Sequence, residues 1–143
     1  MLGEVLDREA IGSLVPHGDA MLLIDRVVSS DEKSILCTTE SHRRQDHPLL
    51  AADGSLHAVT GAELGAQAAA IHGALRSGKP MPPGMIVLLR DLSWSRRTLE
   101  GIAAPLHVEA TALHDGAAGL VYRFALSAEG KTVVSGEVGI ILK

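Results

Sequence analysis

The 143-residue sequence contains very few aromatic side chains: one Trp, one Tyr and one Phe. Its hydrophobic fraction is nevertheless 46%, so the core must be built from Leu, Ile, Val and Ala. Small aliphatic side chains let backbones approach closely, but they fill volume poorly. We therefore expect one domain of ordinary size covering residues 1–143, in which a long, narrow cavity is easier to keep open than in an aromatic core.

The sequence also lacks a second cysteine, an excess of basic residues and a long apolar run. The single Cys37 excludes an internal disulfide and a multi-cysteine metal site. A formal net charge of −4 gives no indication of nucleic-acid binding. The longest apolar run, MIVLLR at 85–90, is much shorter than a membrane span, and the N-terminus lacks the apolar region of a signal peptide. These absences predict a cytoplasmic protein without a membrane span.

Hydrophobic periodicity predicts one long helix among several strands. Residues 60–76 are rich in Ala and Gly on almost every side, which is typical of a buried helix with close neighbours. A short amphipathic helix is predicted at 5–14. Alternating or β-rich patterns then predict six strands, at 21–28, 35–41, 85–94, 103–113, 119–127 and 132–142. One helix cannot cover two sheet faces, so we predict an α+β fold with a single antiparallel sheet. Its exposed edges make dimerisation by continuation of the sheet a reasonable expectation.

Glu63, near the start of the long helix, has two interpretations. Thr60 followed by Glu63 three residues later matches a capping box, and the helix dipole favours an acid there. The same carboxyl group in an apolar site could act as a general acid or base. Burial favours the neutral carboxyl group, whereas helix amides favour the carboxylate. The residues alone leave both roles open.

Two histidines precede Glu63 in a segment without regular periodicity. His47 lies in DHPLL, sixteen residues before Glu63, and His57 lies in GSLHAV, six residues before it. A single loop histidine is more often a surface residue; two histidines near one buried acid strengthen the catalytic interpretation without deciding it. His72, on the helix itself, fits a core or pocket-lining residue with satisfied hydrogen bonds. Because metal-ligand spacings and nucleotide-binding motifs are absent, no metal site is predicted.

Two segments resemble bacterial 3-hydroxyacyl-acyl-carrier-protein dehydratases of the hot-dog fold. PHGDAMLLIDRV at 16–27 is similar to the opening of these dehydratases, where a Pro-His turn leads into an apolar strand. On residue type alone, the same segment could be an ordinary turn and buried strand with no functional role. GAELGAQAAA at 61–70 resembles their central helix, which carries an acid followed by an Ala-Gln pair. The segment 52–73 most resembles dehydratases linked to aryl-polyene and related fatty-acyl pathways. The resemblance covers nearly the whole chain and implies a single curved antiparallel β-sheet wrapped around one long central α-helix.

The resemblance also implies an activity, which is the dehydration of a 3-hydroxyacyl thioester to a trans-2-enoyl thioester. The substrate would be carried on the phosphopantetheine of an acyl carrier protein or CoA, and no further cofactor is implied. Glu63 is the implied acid, and His47, followed by Pro48, is the partial match to the base. Further site residues predicted to bind substrate are Gly61, Gly65, Gln67 and His57. The family uses dimers in which each site draws residues from both subunits.

One segment departs from the family pattern and leaves two alternatives open. HPLLAADGSLHAVTGAE, at 47–63, is about two residues longer than the corresponding family segment and lacks its second Pro-Gly. The chain could therefore be a non-catalytic or half-catalytic acyl-binding subunit of a hot-dog heterodimer. It could also be a hot-dog acyl thioesterase in which the same carboxylate activates water. Arg43-Arg44 and Arg96-Arg97 are candidate contacts for an acidic carrier protein.

Overall fold

The computed structural model describes residues 5–15, 21–116 and 119–142. The helices and strands, in chain order, are α1 (Arg8–Gly12), β1 (Arg26–Ser30), β2 (Ser34–Thr39), α2 (Gly61–Ser77), β3 (Gly84–Trp94), β4 (Leu106–Asp115), β5 (Gly119–Ala128) and β6 (Lys131–Leu142). The six strands form one sheet with the order β1-β2-β4-β5-β6-β3, and every pairing is antiparallel. The predicted combination of one long helix and one antiparallel sheet is confirmed.

Helix α2 lies close against the sheet because its residues are small. It contacts β2, β4, β5 and β6, and most of its side chains through Ala74 are buried. A Cβ atom at Gly65 would lie 2.5 Å from Cγ of Phe124, so glycine permits the close approach to β5. The helix ends at Gly78, whose φ of 74° is left-handed and whose N–H donates to the carbonyl of Ala74.

The alternation predicted for the later strands is confirmed and forms the core. On β5, Leu120, Tyr122, Phe124 and Leu126 all lie within 2% of complete burial. Facing positions of β4 are buried in the same way, and the intervening side chains are more exposed. Cys37 belongs to this core, and burial raises the pKa of its thiol to about 12. The thiol is therefore a packing group without thiolate reactivity near neutral pH.

The first predicted strand is shifted, which corrects the expectation of a strand at 21–28. β1 begins only at Arg26, while residues 22–24 are buried without belonging to the sheet. Side chains replace the strand hydrogen bonds there: the carbonyl of Leu23 accepts from the hydroxyls of Thr39 and Ser41. The apolar run is therefore a buried segment across α2. Helix α1 is also shorter than predicted, and the Pro-His turn within 16–20 lies outside the described residues.

The two edges of the sheet are different. At the β1 edge, Leu6 and Val27 exchange two backbone hydrogen bonds of 3.1 and 2.9 Å. At the other edge, the eleven-residue strand β3 pairs with β6 alone among the described strands. It exposes apolar side chains, with Met85 at 50% and Val87 at 52% exposure. No helix in the described part of the chain is long and apolar enough to cross a membrane.

Candidate active site

Glu63 lies at the wall of a cavity of about 280 Å³ between α2 and the segment that leads into β3. Its side chain is half-buried in the first turn of the helix. Glu63, Ala66, Gln67 and Ala70 form the helix side of the cavity, and their spacing places them on one helix face. The opposite wall includes Met81, Ile86 and Ile140. A carboxyl group and aliphatic side chains thus line the same cavity.

The capping box predicted for Thr60 and Glu63 is wrong. A 3₁₀ turn at Ala58–Thr60 runs directly into α2, so Thr60 already has helical φ and ψ angles. Its hydroxyl donates to the carbonyl of His57 at 2.7 Å and makes no cap bond, and its own N–H donates to the same carbonyl. Glu63 therefore has no reciprocal capping bond with Thr60. The favourable interaction of this acid with the helix dipole stays a prediction, because Glu63 does lie in the first turn of α2.

Gln67 fixes the segment beside Glu63. Its Oε1 accepts from the N–H of Leu23 at 2.8 Å, and its Nε2 donates to the carbonyl of Met21 at 2.7 Å. Because the N–H of Leu23 can only donate, the atom of the Gln67 side-chain amide that faces it must be the oxygen, which fixes the orientation of that amide. Nε2 also lies 3.4 Å from Oε1 of Glu63. Gln67 thus lines the cavity with its polar atoms committed to the protein, and its predicted contact with substrate stays a prediction.

His47 is buried at 6% exposure, and its surroundings define its tautomer. Nδ1 accepts from the N–H of Leu49 at 3.0 Å, so the neutral ring carries its proton on Nε2. Burial first, and the charge of Arg44 second, hold the pKa of His47 below its usual value. Within the described residues, no hydrogen bond joins His47 to Glu63, and His47 does not line the cavity. Its role as the base stays a prediction.

The other predicted site residues have structural contacts. His57 precedes the 3₁₀ turn, where its Nδ1 accepts from the N–H of Val59 and its ring packs edge-on against Trp94 at 5.1 Å. Gly61 faces the sheet, where a Cβ atom would lie 3.0 Å from Cδ2 of Leu126. Gly65 faces Phe124 in the same way. Among the predicted site residues, Glu63 and Gln67 are therefore in direct contact. Substrate contacts by His57, Gly61 and Gly65 stay predictions.

His72 confirms the expectation of a buried histidine with satisfied hydrogen bonds. It is fully buried, with Nδ1 2.6 Å from Oη of Tyr122 and Nε2 2.7 Å from the carbonyl oxygen of Asp31. The residue that sequence reasoning missed is Met81, which lines the cavity from the connection between α2 and β3. Three prolines around it, in KPMPP at 79–83, were the available signal for an irregular segment in this connection.

A six-stranded antiparallel sheet in this order, packed on one long central helix with an acid in its first turn, defines a hot-dog protein. The chain belongs to the ApeP-like family of ApeP dehydratases, which matches residues 9–142. The earlier resemblance to hot-dog dehydratases is therefore confirmed at the level of the family. No curated protein matches the sequence closely enough to count as a relative.

Solved structures show the same fold. The dehydratase heterocomplex ApeI:P from Xenorhabdus doucetiae contains a chain that is 18% identical, with a TM-score of 0.82, and the match covers 93% of this chain and 90% of that chain. A thioesterase from Haemophilus influenzae is 17% identical, with a TM-score of 0.64 and coverage of 100% and 95%. A mutant thioesterase from Pseudomonas aeruginosa is 18% identical, with a TM-score of 0.54 and coverage of 82% and 79%.

Proposed function

We propose that this chain dehydrates 3-hydroxyacyl thioesters to trans-2-enoyl thioesters, with Glu63 as the acid that protonates the departing hydroxyl group. The observation that carries the proposal is the position of Glu63, beside Gln67, at the wall of a 280 Å³ cavity lined by small and aliphatic side chains. Membership of a dehydratase family supports the reaction type. The aliphatic part of the cavity wall, which includes Met81, Ile86 and Ile140, supports an acyl chain as the ligand.

The reaction needs one group to remove the proton α to the thioester carbonyl and another to protonate the leaving 3-hydroxyl group. Loss of water then forms the double bond. Glu63 serves the second step, while Gln67 orients its carboxyl group through the 3.4 Å contact. His47 and Glu63 of one chain do not meet within the described residues. We propose that the base is an imidazole that acts across a subunit interface, either His47 of a second copy or a histidine of another hot-dog subunit, as the family resemblance implies.

Replacement of Glu63 tests the assignment. Glu63→Gln is expected to lower turnover of 3-hydroxyacyl-CoA and 3-hydroxyacyl-carrier-protein by about 10²–10⁴-fold, the range for loss of a general acid, while the melting temperature stays within a degree. Glu109→Gln, at an exposed position of β4, is the matched control and should retain full activity. Undiminished turnover in Glu63→Gln would remove Glu63 from the mechanism. Release of free thiol from acyl-CoA without any enoyl product would favour a thioesterase.

A half-catalytic role is the second candidate, and the departure of the segment 47–63 from the family pattern favours it. The exposed apolar edge of β3 supports an association with another hot-dog subunit, because a long unpaired edge readily adds a further strand. The similar chain in the ApeI:P heterocomplex supports the same idea. The purified protein alone should then be inactive and gain activity when a second hot-dog dehydratase subunit is added. Full activity of the isolated homodimer would exclude this role.

An acyl carrier protein is the proposed donor, with Arg96-Arg97 as its contact. Arg43 pairs with Glu40 at 3.3 Å and Arg44 with Asp46 at 3.1 Å, so this first pair is largely neutralised. Within the part of the chain that is described, Arg96 and Arg97 form no ion pair, although the backbone hydrogen bond from Leu56 first, and to a lesser degree the charge of Arg96, lower the pKa of Glu100. The carbonyl of Arg97 accepts from the N–H of Ala58, which places the pair beside the turn leading into α2.

Charge reversal tests the carrier-protein contact. Arg97→Glu is expected to raise KM for acyl carrier protein substrates about tenfold, as for loss of a favourable charge contact, and to leave KM for CoA substrates unchanged. Arg43→Glu is the control and should change neither value, because Glu40 already neutralises Arg43. An equal effect of Arg97→Glu on both donors would contradict carrier-protein docking at this position.

A further inference from the structure

The connection between α2 and β3 places one flexible side chain inside the molecule. Pro80, Pro82 and Pro83 cannot donate backbone hydrogen bonds, so this segment cannot join the helix or the sheet. The N–H of Met81, between them, donates to the carbonyl of Leu14 at 2.8 Å. The Met81 side chain points inward and is only 9% exposed. An unbranched thioether is thus held against the helix by a fixed backbone.

Met81 stands between two cavities. The first is the 280 Å³ cavity at Glu63. The second, of about 420 Å³, lies toward the end of α2, where Gly73, Arg76 and Ser77 line it. Its wall is partly charged, because Lys79 and the ion pair of Arg76 with Asp115 also line it. The two cavities share one wall, which consists of Met81, Pro82 and Leu142. They are therefore neighbouring spaces with Met81 at their boundary.

The helix side of both cavities is one continuous stripe. Glu63, Ala66, Ala70, Gly73 and Ser77 follow each other at intervals of three or four residues, which places them on the same face of α2. The rise of about 1.5 Å per residue puts Gly73 roughly 15 Å along the axis from Glu63. A chain that starts at Glu63 and follows this stripe therefore reaches Gly73 after the first cavity.

At Gly73, the side chain of Met81 covers this face of α2. A Cβ atom at Gly73 would clash with Cε of Met81, so the methyl group of the thioether lies directly on the bare helix backbone. Any side chain at position 73 would displace it. The methionine methyl group thus covers the helix side of the wall that the two cavities share, and we expect its removal to connect them along α2.

We propose that Met81 is the residue that limits the length of the acyl chain accepted by this protein. The inference rests on the proposed function, in which the cavity at Glu63 receives the acyl chain. Chains that end before Gly73 fit the first cavity with Met81 in place. Longer chains must move the Met81 side chain before they enter the second cavity, and this limits their affinity.

Binding of non-reacting probes tests the proposal without requiring catalysis. Saturated S-acyl pantetheines with butanoyl, octanoyl, dodecanoyl and hexadecanoyl chains are titrated calorimetrically into the wild-type protein, Met81→Ala and Met81→Leu. Each methylene that gains burial contributes about fourfold in affinity, about 0.8 kcal/mol. Met81→Ala should therefore bind the first chain that is too long for the wild-type protein more than tenfold tighter. Met81→Leu conserves the volume and should keep the wild-type length profile.

Controls separate this result from general destabilisation and from failure of the proposed function. Val108→Ala removes buried methyl groups from β4 away from both cavities and should leave the length profile unchanged. If Met81→Ala does not fold, Met81→Val provides a smaller opening and a smaller shift in the same direction. An unchanged profile, or no binding of any probe, overturns the proposal. A shifted profile in a protein that dehydrates no 3-hydroxyacyl thioester, either alone or with a second hot-dog dehydratase subunit, supports Met81 as the length limit and rejects the dehydratase function.

Discussion

The two halves of α2 use buried polar side chains in opposite ways. In the N-terminal half, Glu63 and Gln67 lie along a cavity, and Gln67 ties the helix to the buried segment at Leu23. In the C-terminal half, His72 is enclosed on every side and lines none of the cavities described above. The buried polar side chains Gln67 and His72 both have hydrogen-bond partners, so the presence of partners does not distinguish a functional site from the packed core. The difference is the adjacent space that a ligand could occupy.

The C-terminal pair is part of the fold. His72 and Tyr122 lie 2.6 Å apart in completely buried positions, and burial raises the pKa of Tyr122 to about 12. The tyrosine is therefore a neutral hydroxyl at all physiological pH values, able to donate to the unprotonated Nδ1 of His72. Removal of polar groups should consequently affect activity at one end of α2 and stability alone at the other.

The largest expected effect on stability follows from Gln67→Met, which keeps the approximate shape of the side chain and removes its hydrogen bonds. The N–H of Leu23 then remains buried without its acceptor, and Met21 loses the donor to its carbonyl. We expect a loss of about 3 kcal/mol in the free energy of unfolding. Turnover should fall about tenfold or more at a temperature where the variant is fully folded, because the carboxyl group of Glu63 loses its contact with Nε2 of Gln67. Urea unfolding and steady-state kinetics measure the two effects separately. Normal turnover in the folded variant would show that Gln67 does not orient Glu63.

Tyr122→Phe is the matched deletion in the other half of α2. It leaves Nδ1 of His72 without its partner inside the core, at an expected cost of about 1–2 kcal/mol. The melting temperature should fall by about 3–5 °C per kcal/mol for a chain of this size. Turnover and KM of the folded variant should match those of the wild-type protein, because neither cavity loses a wall residue. A selective change in turnover would break the distinction between the two halves.

Most of the fold was predictable because its signals are local. The small residues of 60–76 and the alternation on β4, β5 and β6 each specify one element and its buried face. The strand predicted at 21–28 was displaced because its polar partners are distant in sequence: Gln67 is 44 residues from Leu23. An apolar run looks the same in a strand and in a buried segment whose backbone is satisfied by side chains.

The candidate site was predictable only in part. Glu63 was identifiable from its place in GAELGAQ, and the helix period placed Gln67 beside it. The capping box failed because a 3₁₀ turn before the helix changes the backbone angles of Thr60, which residue spacing does not reveal. Met81 reaches the cavity from a connection without periodicity. Residues that approach a site from irregular segments depend on tertiary packing, and no local pattern encodes them.

The smallest expected effect is a change in the pH dependence of stability. Burial first lowers the pKa of His72, despite its hydrogen bond to Asp31, so the unfolded state binds a proton more readily than the folded state. The free energy of unfolding should therefore fall as the pH drops below about 6.5, the usual value for histidine. Burial also lowers the pKa of His42 and His47, so His72→Gln should reduce the slope without abolishing it. Melting temperatures between pH 7.5 and 5.5 measure this, with His114→Gln, at an exposed position, as the control. A slope that is unaffected by His72→Gln would show that protonation of this histidine is not linked to unfolding.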